Sequence, residues 1–336
     1  MSFLKKGAPT EPAAAAAGLS GPHPRNKRSP MAREEERAGL TLLSPTLLLV
    51  LVMVVLPILW TLLLAFQRVR ILNIRSAGIF GPYTVANFDN VFSSSFFQSL
   101  GTTLAYSVFG TAGAIGLGLI AALALRKPFK GRTFIRASML IPYVAPIVAV
   151  TFTWTTMLDP QFGLINHWGK TLFGWEESIP FLSERSREVS VLGLDFTVPT
   201  ALIAVILFET WRSFPFAFLF LTARLHAVPD SLEEAARVDG ATPIQRFIHI
   251  LLPQLLPTIA MLSVLRFIWT FNSFDDIYLL TGGGAGTEVV AVTVFNFLTA
   301  RGDIGAASAQ ALVLALILGL FVGIYVRFFA KKEEVS

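Results

Sequence analysis

Two charged residues lie inside one long apolar stretch of the sequence, at positions 198–222. Glu209 and Arg212 are three residues apart, so a helix through this stretch places both side chains on one face. A lone charge in the middle of a hydrocarbon layer costs roughly 3 kcal/mol, so neither side chain is expected to face lipid without a partner. Two interpretations stay open. The two residues pair with each other as a structural strut, or they line a water-filled passage.

A second group of polar side chains follows an indole ring in a later apolar stretch. It comprises Trp269, Thr270, Asn272, Ser273 and Asp276. An aromatic face beside hydroxyl, amide and carboxylate groups suits sugars, because the ring stacks on the sugar while the polar groups bind its hydroxyls. Packing between helices uses the same residue types, so the composition of this group alone leaves both roles open.

The sequence gives little support for a catalytic site or a nucleotide-binding site. The sequence has no Gly-x-x-x-x-Gly-Lys-Ser/Thr loop, and the glycine-rich run 282–286 lacks the lysine that such a loop needs. There are no cysteines, and the four histidines show no metal-ligand spacing. The net charge is +5, but the basic residues lie between apolar stretches, which favours a role in membrane orientation over nucleic-acid binding. We therefore expect neither enzyme activity nor a cofactor in this chain.

The polar stretch 223–254 predicts a helix, a turn and a second helix. Pro229 marks the first helix start, and Ser231 with Glu234 fits a capping box. Gly240 is expected to end that helix in the left-handed conformation, and Pro243 to open the next one. On composition alone, an ordinary loop between membrane helices fits equally well.

The spacing of this stretch resembles a known signature. Glu234-Ala235-Ala236, then Gly240, then Ile250-x-Leu252-Pro253 is similar to the EAA motif of permease subunits of binding-protein-dependent ABC importers. The segments 211–216, 271–276 and 280–284 resemble the carbohydrate-uptake branch, of the maltose and glycerol-phosphate type. The resemblance is specific from about position 211 to 284, is looser back to about position 40, and does not cover the N-terminal tail.

The resemblance implies a function, partners and two sets of site residues. The chain would form, with a second permease, the path for a sugar delivered by an extracytoplasmic binding protein, and two separate ATPase subunits would hold ATP and Mg²⁺. The residues implied in coupling to the ATPase are Glu233, Glu234, Ala235, Ala236, Asp239 and Gly240. The residues implied in the substrate path are Arg212, Ser213, Phe216, Trp269, Thr270, Asn272 and Ser273. An ion-coupled secondary sugar carrier is the alternative, although no internal repeat is visible.

Composition predicts an all-α, polytopic membrane protein, and the resemblance implies the ABC importer permease fold of the maltose-permease type. The 336 residues are 54% hydrophobic and only 15% charged, with a mean hydropathy of +0.63. Residues 1–39 are rich in alanine, proline and charge, and we expect a disordered basic tail there, with a short helix near 32–39. The permease domain is expected at 40–330. Six spans are predicted at about 40–66, 98–125, 137–158, 198–222, 255–277 and 305–326.

The basic residues predict the orientation of these spans. Segments 1–39, 126–136, 223–254 and 327–336 hold 18 Lys and Arg residues. The segments expected on the other side, 67–97, 159–197 and 281–304, hold 7. Because positive charge is retained on the cytoplasmic side, we expect both termini and the EAA loop to be cytoplasmic, in a plasma or inner membrane.

Overall fold

The structure is a computed structural model that describes residues 30–92, 94–191 and 194–327. Of the predicted 1–39 tail, positions 1–29 lie outside the described residues, and positions 30–39 form the first turns of a helix. The chain divides into two compact units, one ending at Pro57 and the other beginning at Ile58.

Helices make up nearly all of the regular structure in the described residues, as the sequence predicted. The α-helices are α1 Pro30–Val50, α2 Leu56–Ala65, α3 Asn87–Val91, α4 Ser94–Ala124, α5 Arg132–Met139, α6 Ile141–Val144, α7 Ile147–Met157, α8 Leu164–Phe173, α9 Thr200–His226, α10 Asp230–Val238, α11 Pro243–Arg246, α12 Leu252–Phe271, α13 Asp275–Thr281, α14 Val290–Thr299 and α15 Ile304–Tyr325. A 3₁₀ helix spans Ile71–Ser76, and π-helical turns span Leu51–Val55 and Phe247–Leu251. One antiparallel hairpin joins β1 Arg187–Val191 to β2 Leu194–Val198.

Within the described part of the chain, five continuous helical stretches are long and apolar enough to cross a membrane. They are Thr41–Ala65, Ser95–Ala124, Thr200–His226, Pro243–Phe271 and Ile304–Tyr325. A sixth crossing is formed if Arg132–Val144 and Ile147–Met157, which meet at an angle of 97°, act as one broken span. The length and hydropathy of these helices confirm the predicted class of polytopic all-α membrane protein.

The bend in the third predicted span comes from its second proline. Ala145 has an extended backbone, with φ −64° and ψ 143°, because the ring of Pro146 disfavours helical geometry in the residue before it. The span predicted at 137–158 contains two prolines, Pro142 and Pro146. The structure turns the chain sharply at Pro146, and α7 alone has 11 residues, about 16 Å of helix.

Two segments predicted as loops contain secondary structure. The predicted outer segment 281–304 holds α14, and the long hydrophilic segment 159–197 holds α8 and the β-hairpin. A π-helical turn at Leu51–Val55 lies just before Pro57. A proline has no N–H for the carbonyl four residues earlier, so the preceding turn widens.

Helices α4 and α9 approach closely where α4 carries glycine. A Cβ at Gly110 would lie 3.0 Å from the Glu209 Cγ, and a Cβ at Gly118 would lie 2.8 Å from the Ala217 Cβ. Gly116 makes no such contact within the described chain, since a Cβ placed there has no atom of another element within 4 Å. The core around this contact includes Leu221, Leu255 and Leu262, all fully buried. The small-residue pair Gly319 and Gly323 of α15 likewise has no atom of the described chain within 4 Å.

Candidate functional site

Four charged side chains form two ion pairs between α9 and its neighbours. Glu209 of α9 binds Arg266 of α12, and Arg212 of α9 binds Asp276 of α13, with 2.9 Å between the Arg212 Nη1 and the Asp276 Oδ1. Glu209, Arg266 and Asp276 are each at most 5% exposed. The interpretation that Glu209 and Arg212 pair with each other is therefore wrong. A helical face places the two side chains together, but a partner of opposite charge on another helix lies closer to each.

Hydroxyl groups complete the coordination of the two carboxylates. The Ser213 Oγ and the Thr270 Oγ1 donate to the Glu209 Oε1, at 2.9 and 3.2 Å. The Tyr106 hydroxyl of α4 donates to the Asp276 Oδ2 at 3.1 Å, and the Ser273 Oγ lies 3.3 Å from the same oxygen. In a low-dielectric interior these bonds stabilise the charges, because they take the place of hydrogen bonds to water. We call these eight residues, Tyr106, Glu209, Arg212, Ser213, Arg266, Thr270, Ser273 and Asp276, the buried polar network.

Aromatic rings lie next to this network and are partly exposed. The rings of Phe216 and Trp269 are 5.2 Å apart at their centroids, Phe216 and Phe220 are 4.8 Å apart, and Tyr143 and Phe216 are 5.9 Å apart. The exposed fractions of Trp269, Tyr143 and Phe220 are 44%, 42% and 39%. The guanidinium of Arg266 lies 5.8 Å from the Trp269 ring centroid. We call the four rings, Tyr143, Phe216, Phe220 and Trp269, the aromatic strip.

The structure separates the residues that the sequence placed in one substrate path. Ser213 and Thr270 are 3% and 2% exposed, and their hydroxyls are used within the buried polar network. Asn272 is exposed and Ser273 is half-buried, and the Arg212 side chain is 30% exposed. Sequence reasoning missed two rings of the strip. Phe220 lies one turn from Phe216 and was detectable by that spacing, whereas Tyr143 comes from the distant α6.

The polar stretch after α9 forms the predicted helix–turn–helix with a different first cap. Helix α10 begins at Asp230 after Pro229, so the expected capping box of Ser231 and Glu234 is not formed. The capping box lies instead at the next helix, where the Gln245 N–H donates to the Thr242 Oγ1 at 3.3 Å and the Thr242 N–H donates to the Gln245 Oε1 at 2.8 Å. Gly240 has φ 79°, the left-handed conformation that the sequence predicted.

Helix α10 presents most of its surface to the outside of the chain. None of its residues is buried, and Val238 and Leu232 are 89% and 43% exposed. Glu234 and Ala235 are exposed and Ala236 is half-buried, while Asp239 and Gly240 are exposed at the turn. Glu233 differs from these: its side chain is 13% exposed and binds Arg126, beyond the end of α4. The two adjacent glutamates therefore face different surroundings.

No group of three or more His, Cys, Asp or Glu side chains among the described residues is arranged to hold a metal ion. The glycine-rich run after α13 forms a turn, with positive φ at Gly282, Gly283, Ala285 and Gly286.

Comparison with known proteins identifies the family. Residues 114–335 match the family of binding-protein-dependent transport system inner membrane components. The chain is 32% identical over 284 residues to the inner membrane ABC transporter permease protein YcjO of Escherichia coli, which covers 84% of this chain and 90% of that protein. It is 33% identical over 291 residues to the trehalose/maltose transport system permease protein MalF of Thermococcus litoralis, which covers 86% of this chain and 92% of that protein.

A solved structure supports the fold. A chain of a bacterial ABC transporter involved in the import of the acidic polysaccharide alginate superposes with a TM-score of 0.70, at 22% identity, over 89% of this chain and 99% of that chain.

The chain belongs to the family of inner-membrane components of binding-protein-dependent transport systems. It is a multi-pass inner-membrane permease subunit and not an enzyme, as the EAA motif and the absence of a P-loop predicted.

Proposed function

We propose that this permease imports a sugar or sugar derivative and forms the translocation path together with a second permease subunit. The observation that carries the sugar assignment is the partly exposed aromatic strip. Phe216 lies one helical turn after Arg212, and Trp269 lies three and four residues before Asn272 and Ser273, so polar groups are close to both rings along the chain. Rings bind the apolar face of a sugar, and adjacent polar groups bind its hydroxyls. The trehalose/maltose name of a relative at 33% identity supports the same substrate class.

Within this proposal the predicted path residues divide into two roles. Arg212, Phe216, Trp269, Asn272 and Ser273 contact the sugar, because each has side-chain surface outside the core. Ser213 and Thr270 do not contact the sugar. Their hydroxyls donate to Glu209 and hold it in place beside Arg266.

The exposed face of α10 binds a separate ATPase subunit. Glu234, Ala235, Asp239 and Gly240 are accessible, and Leu232 and Val238 add apolar area to the same helix. Ala236 is half-buried, and its methyl group also contacts the ATPase subunit in this proposal. ATP and Mg²⁺ are held by that partner, and two such subunits serve the two permeases.

The orientation follows from the distribution of charge. The basic segments, including the connection after α4 and the stretch around α10, face the cytoplasm, and so do both termini. The β-hairpin and α14 then lie on the outer side, where an extracytoplasmic binding protein delivers the sugar.

The test is uptake into proteoliposomes that contain the purified complex and its loaded binding protein. We expect uptake of a labelled neutral disaccharide to stop when ATP is removed and to continue when proton and sodium gradients are collapsed. Uptake that persists without ATP and stops with the ion gradient would instead identify an ion-coupled carrier and overturn the proposal.

A further inference from the structure

An arginine just beyond the end of α4 ties α10 to the membrane helices. The Arg126 Nη1 donates to the Glu233 Oε1, and the Arg126 Nη2 lies 3.8 Å from the Asp230 Oδ1. The side chains of Arg126 and Glu233 are 20% and 13% exposed, so both charges are partly withdrawn from water. The pair joins residues 107 positions apart in the sequence.

The segment that carries Arg126 is itself held firmly. The neighbouring Leu125 is 5% exposed and belongs to the core between α4, α9 and α12. Its carbonyl oxygen accepts hydrogen bonds from the Arg132 Nε at 2.7 Å and the Arg136 Nη2 at 3.1 Å. Both arginines belong to α5, which begins the broken span. A displacement of Glu233 therefore acts on the end of α4 and on α5 together.

Helix α4 leads from this end to the buried polar network. Tyr106 lies on the same helix, about 30 Å of helix away from Arg126, and its hydroxyl donates to Asp276. Along that length α4 packs against α9 at Gly110 and Gly118. Neither glycine has a side chain, so the two helices approach closely at these positions. The backbone hydrogen bonds of a continuous α-helix join each residue to the one four positions away, so the helix moves largely as one element.

We infer that the Arg126–Glu233 pair is the link through which α10 moves α4, and through α4 the buried polar network at Asp276. The two adjacent glutamates then have different roles. Glu234 binds the ATPase, and Glu233 binds Arg126. This inference rests on the proposed function of α10. Arg126 is a positioning residue and contacts neither sugar nor nucleotide.

Lys127 provides a matched control. It follows Arg126 in the same connection after α4 and is exposed. Among the described residues Arg126, and not Lys127, forms ion pairs with α10. Reversing the charge of Lys127 should therefore leave coupling within about twofold of the wild type.

The test reverses the charge of Arg126 in the complete complex. We expect R126E to retain the ATPase subunits within about twofold and to hydrolyse ATP, while uptake per ATP falls at least tenfold. Wild-type coupling in R126E, or a loss in K127E as large as in R126E, would overturn the inference.

A covalent substitute for the pair gives a second measurement. The chain has no cysteines, so R126C/E233C introduces the only two thiols of the subunit. We expect this variant to be uncoupled, and a short bis-maleimide spacer between the thiols to restore uptake per ATP to within about threefold of the wild type. A cross-linked variant that stays uncoupled would contradict the inference.

The proposed function fails in a different way. If α10 does not bind the ATPase, E234A retains those subunits as well as the wild type does. If the chain is not part of an ATP-driven importer, wild-type uptake is independent of ATP. That result overturns both proposals, whereas normal coupling in R126E overturns the link alone.

Discussion

At the residue scale, the charges inside the membrane helices act as connections between helices. Glu209 binds Arg266 and Arg212 binds Asp276, so α9 is fixed both to α12 and to α13. Desolvation of buried charges is costly, and the pairs are retained only because each charge has an opposite partner and further hydrogen bonds. Their contribution is to specify which faces of the three helices meet.

Removing one member of the buried pair should destabilise the protein strongly. We expect Arg266→Met to lower the free energy of unfolding by about 3–5 kcal/mol, because Glu209 then lies buried without its cation. The double variant E209Q/R266M should recover most of this loss, since no unpaired charge is left. Thermal unfolding in detergent measures the difference, and a double variant as unstable as the single one would contradict the assigned pairing.

The aromatic strip predicts a substrate effect at one ring. Trp269→Ala should lower sugar uptake about tenfold, equivalent to about 1.4 kcal/mol, while association with the ATPase is unchanged. Trp60→Ala is the matched control, because Trp60 is 45% exposed on another membrane helix, compared with 44% for Trp269. Equal uptake by the two variants would show that Trp269 serves packing and that the sugar binds elsewhere.

At the scale of elements, glycines decide how closely helices approach and where they stop. Gly110 and Gly118 allow α4 to lie against α9, and Gly240 allows α10 to end in a tight turn. These roles differ physically. The first depends on the space beside the Cα atom, and the second on a backbone conformation with positive φ.

The helix contact predicts different outcomes for two glycines of the same helix. Gly118→Ala places a Cβ 2.8 Å from both the Ala217 Cβ and the backbone nitrogen of Phe218, and should cost about 1–3 kcal/mol of stability. Gly116→Ala meets no atom within 4 Å and should be neutral or slightly stabilising. Melting temperatures of the two variants in one detergent provide the check, and equal values would contradict the packing of α4 on α9.

The turn after α10 predicts an effect on coupling. Gly240→Val should cost about 1–2 kcal/mol locally, because φ 79° is unfavourable for a β-branched residue, and α10 should meet the ATPase at the wrong angle. Gly174→Val imposes similar strain at φ 67° in the segment between α8 and the hairpin, far from α10 in sequence. ATP hydrolysis and uptake in the same vesicles should be uncoupled by Gly240→Val and unchanged by Gly174→Val. Full coupling in both variants would mean that the stretch around α10 is only a connecting loop.

At the scale of the whole molecule, the proposed orientation rests on the basic residues between the spans. The segments rich in Lys and Arg alternate with segments that hold few of these residues. The broken span of α5, α6 and α7 counts as one crossing in this scheme. If the broken span did not cross the membrane, every segment after it would change sides. Helix α10 would then lie on the side opposite to the N-terminus.

Cysteine labelling tests this arrangement directly, because the chain contains no native cysteine. Ser183→Cys and Thr242→Cys both lie at exposed positions and should react with an impermeant maleimide from opposite sides, Ser183→Cys from outside. Labelling of both from one side would exclude the six-span arrangement.

The sequence by itself determined the features that depend on near neighbours in the chain. Apolar runs defined the membrane helices, the spacing from Glu234 to Pro253 identified the family, and Gly240 was assigned its left-handed conformation. Each of these follows from composition within about 25 residues. Hydrophobicity, helix breaking and motif spacing are local properties, so they can be predicted without a tertiary structure.

Only the tertiary structure decided which residues meet. Arg212 pairs with Asp276 and not with Glu209, and Glu233 is turned toward Arg126, away from the face that exposes Glu234. Helical periodicity assigns a side chain to a face, but it does not say which helix lies opposite that face. Electrostatic pairing in a low-dielectric interior then selects among charges far apart in the sequence, and this selection depends on how the helices pack.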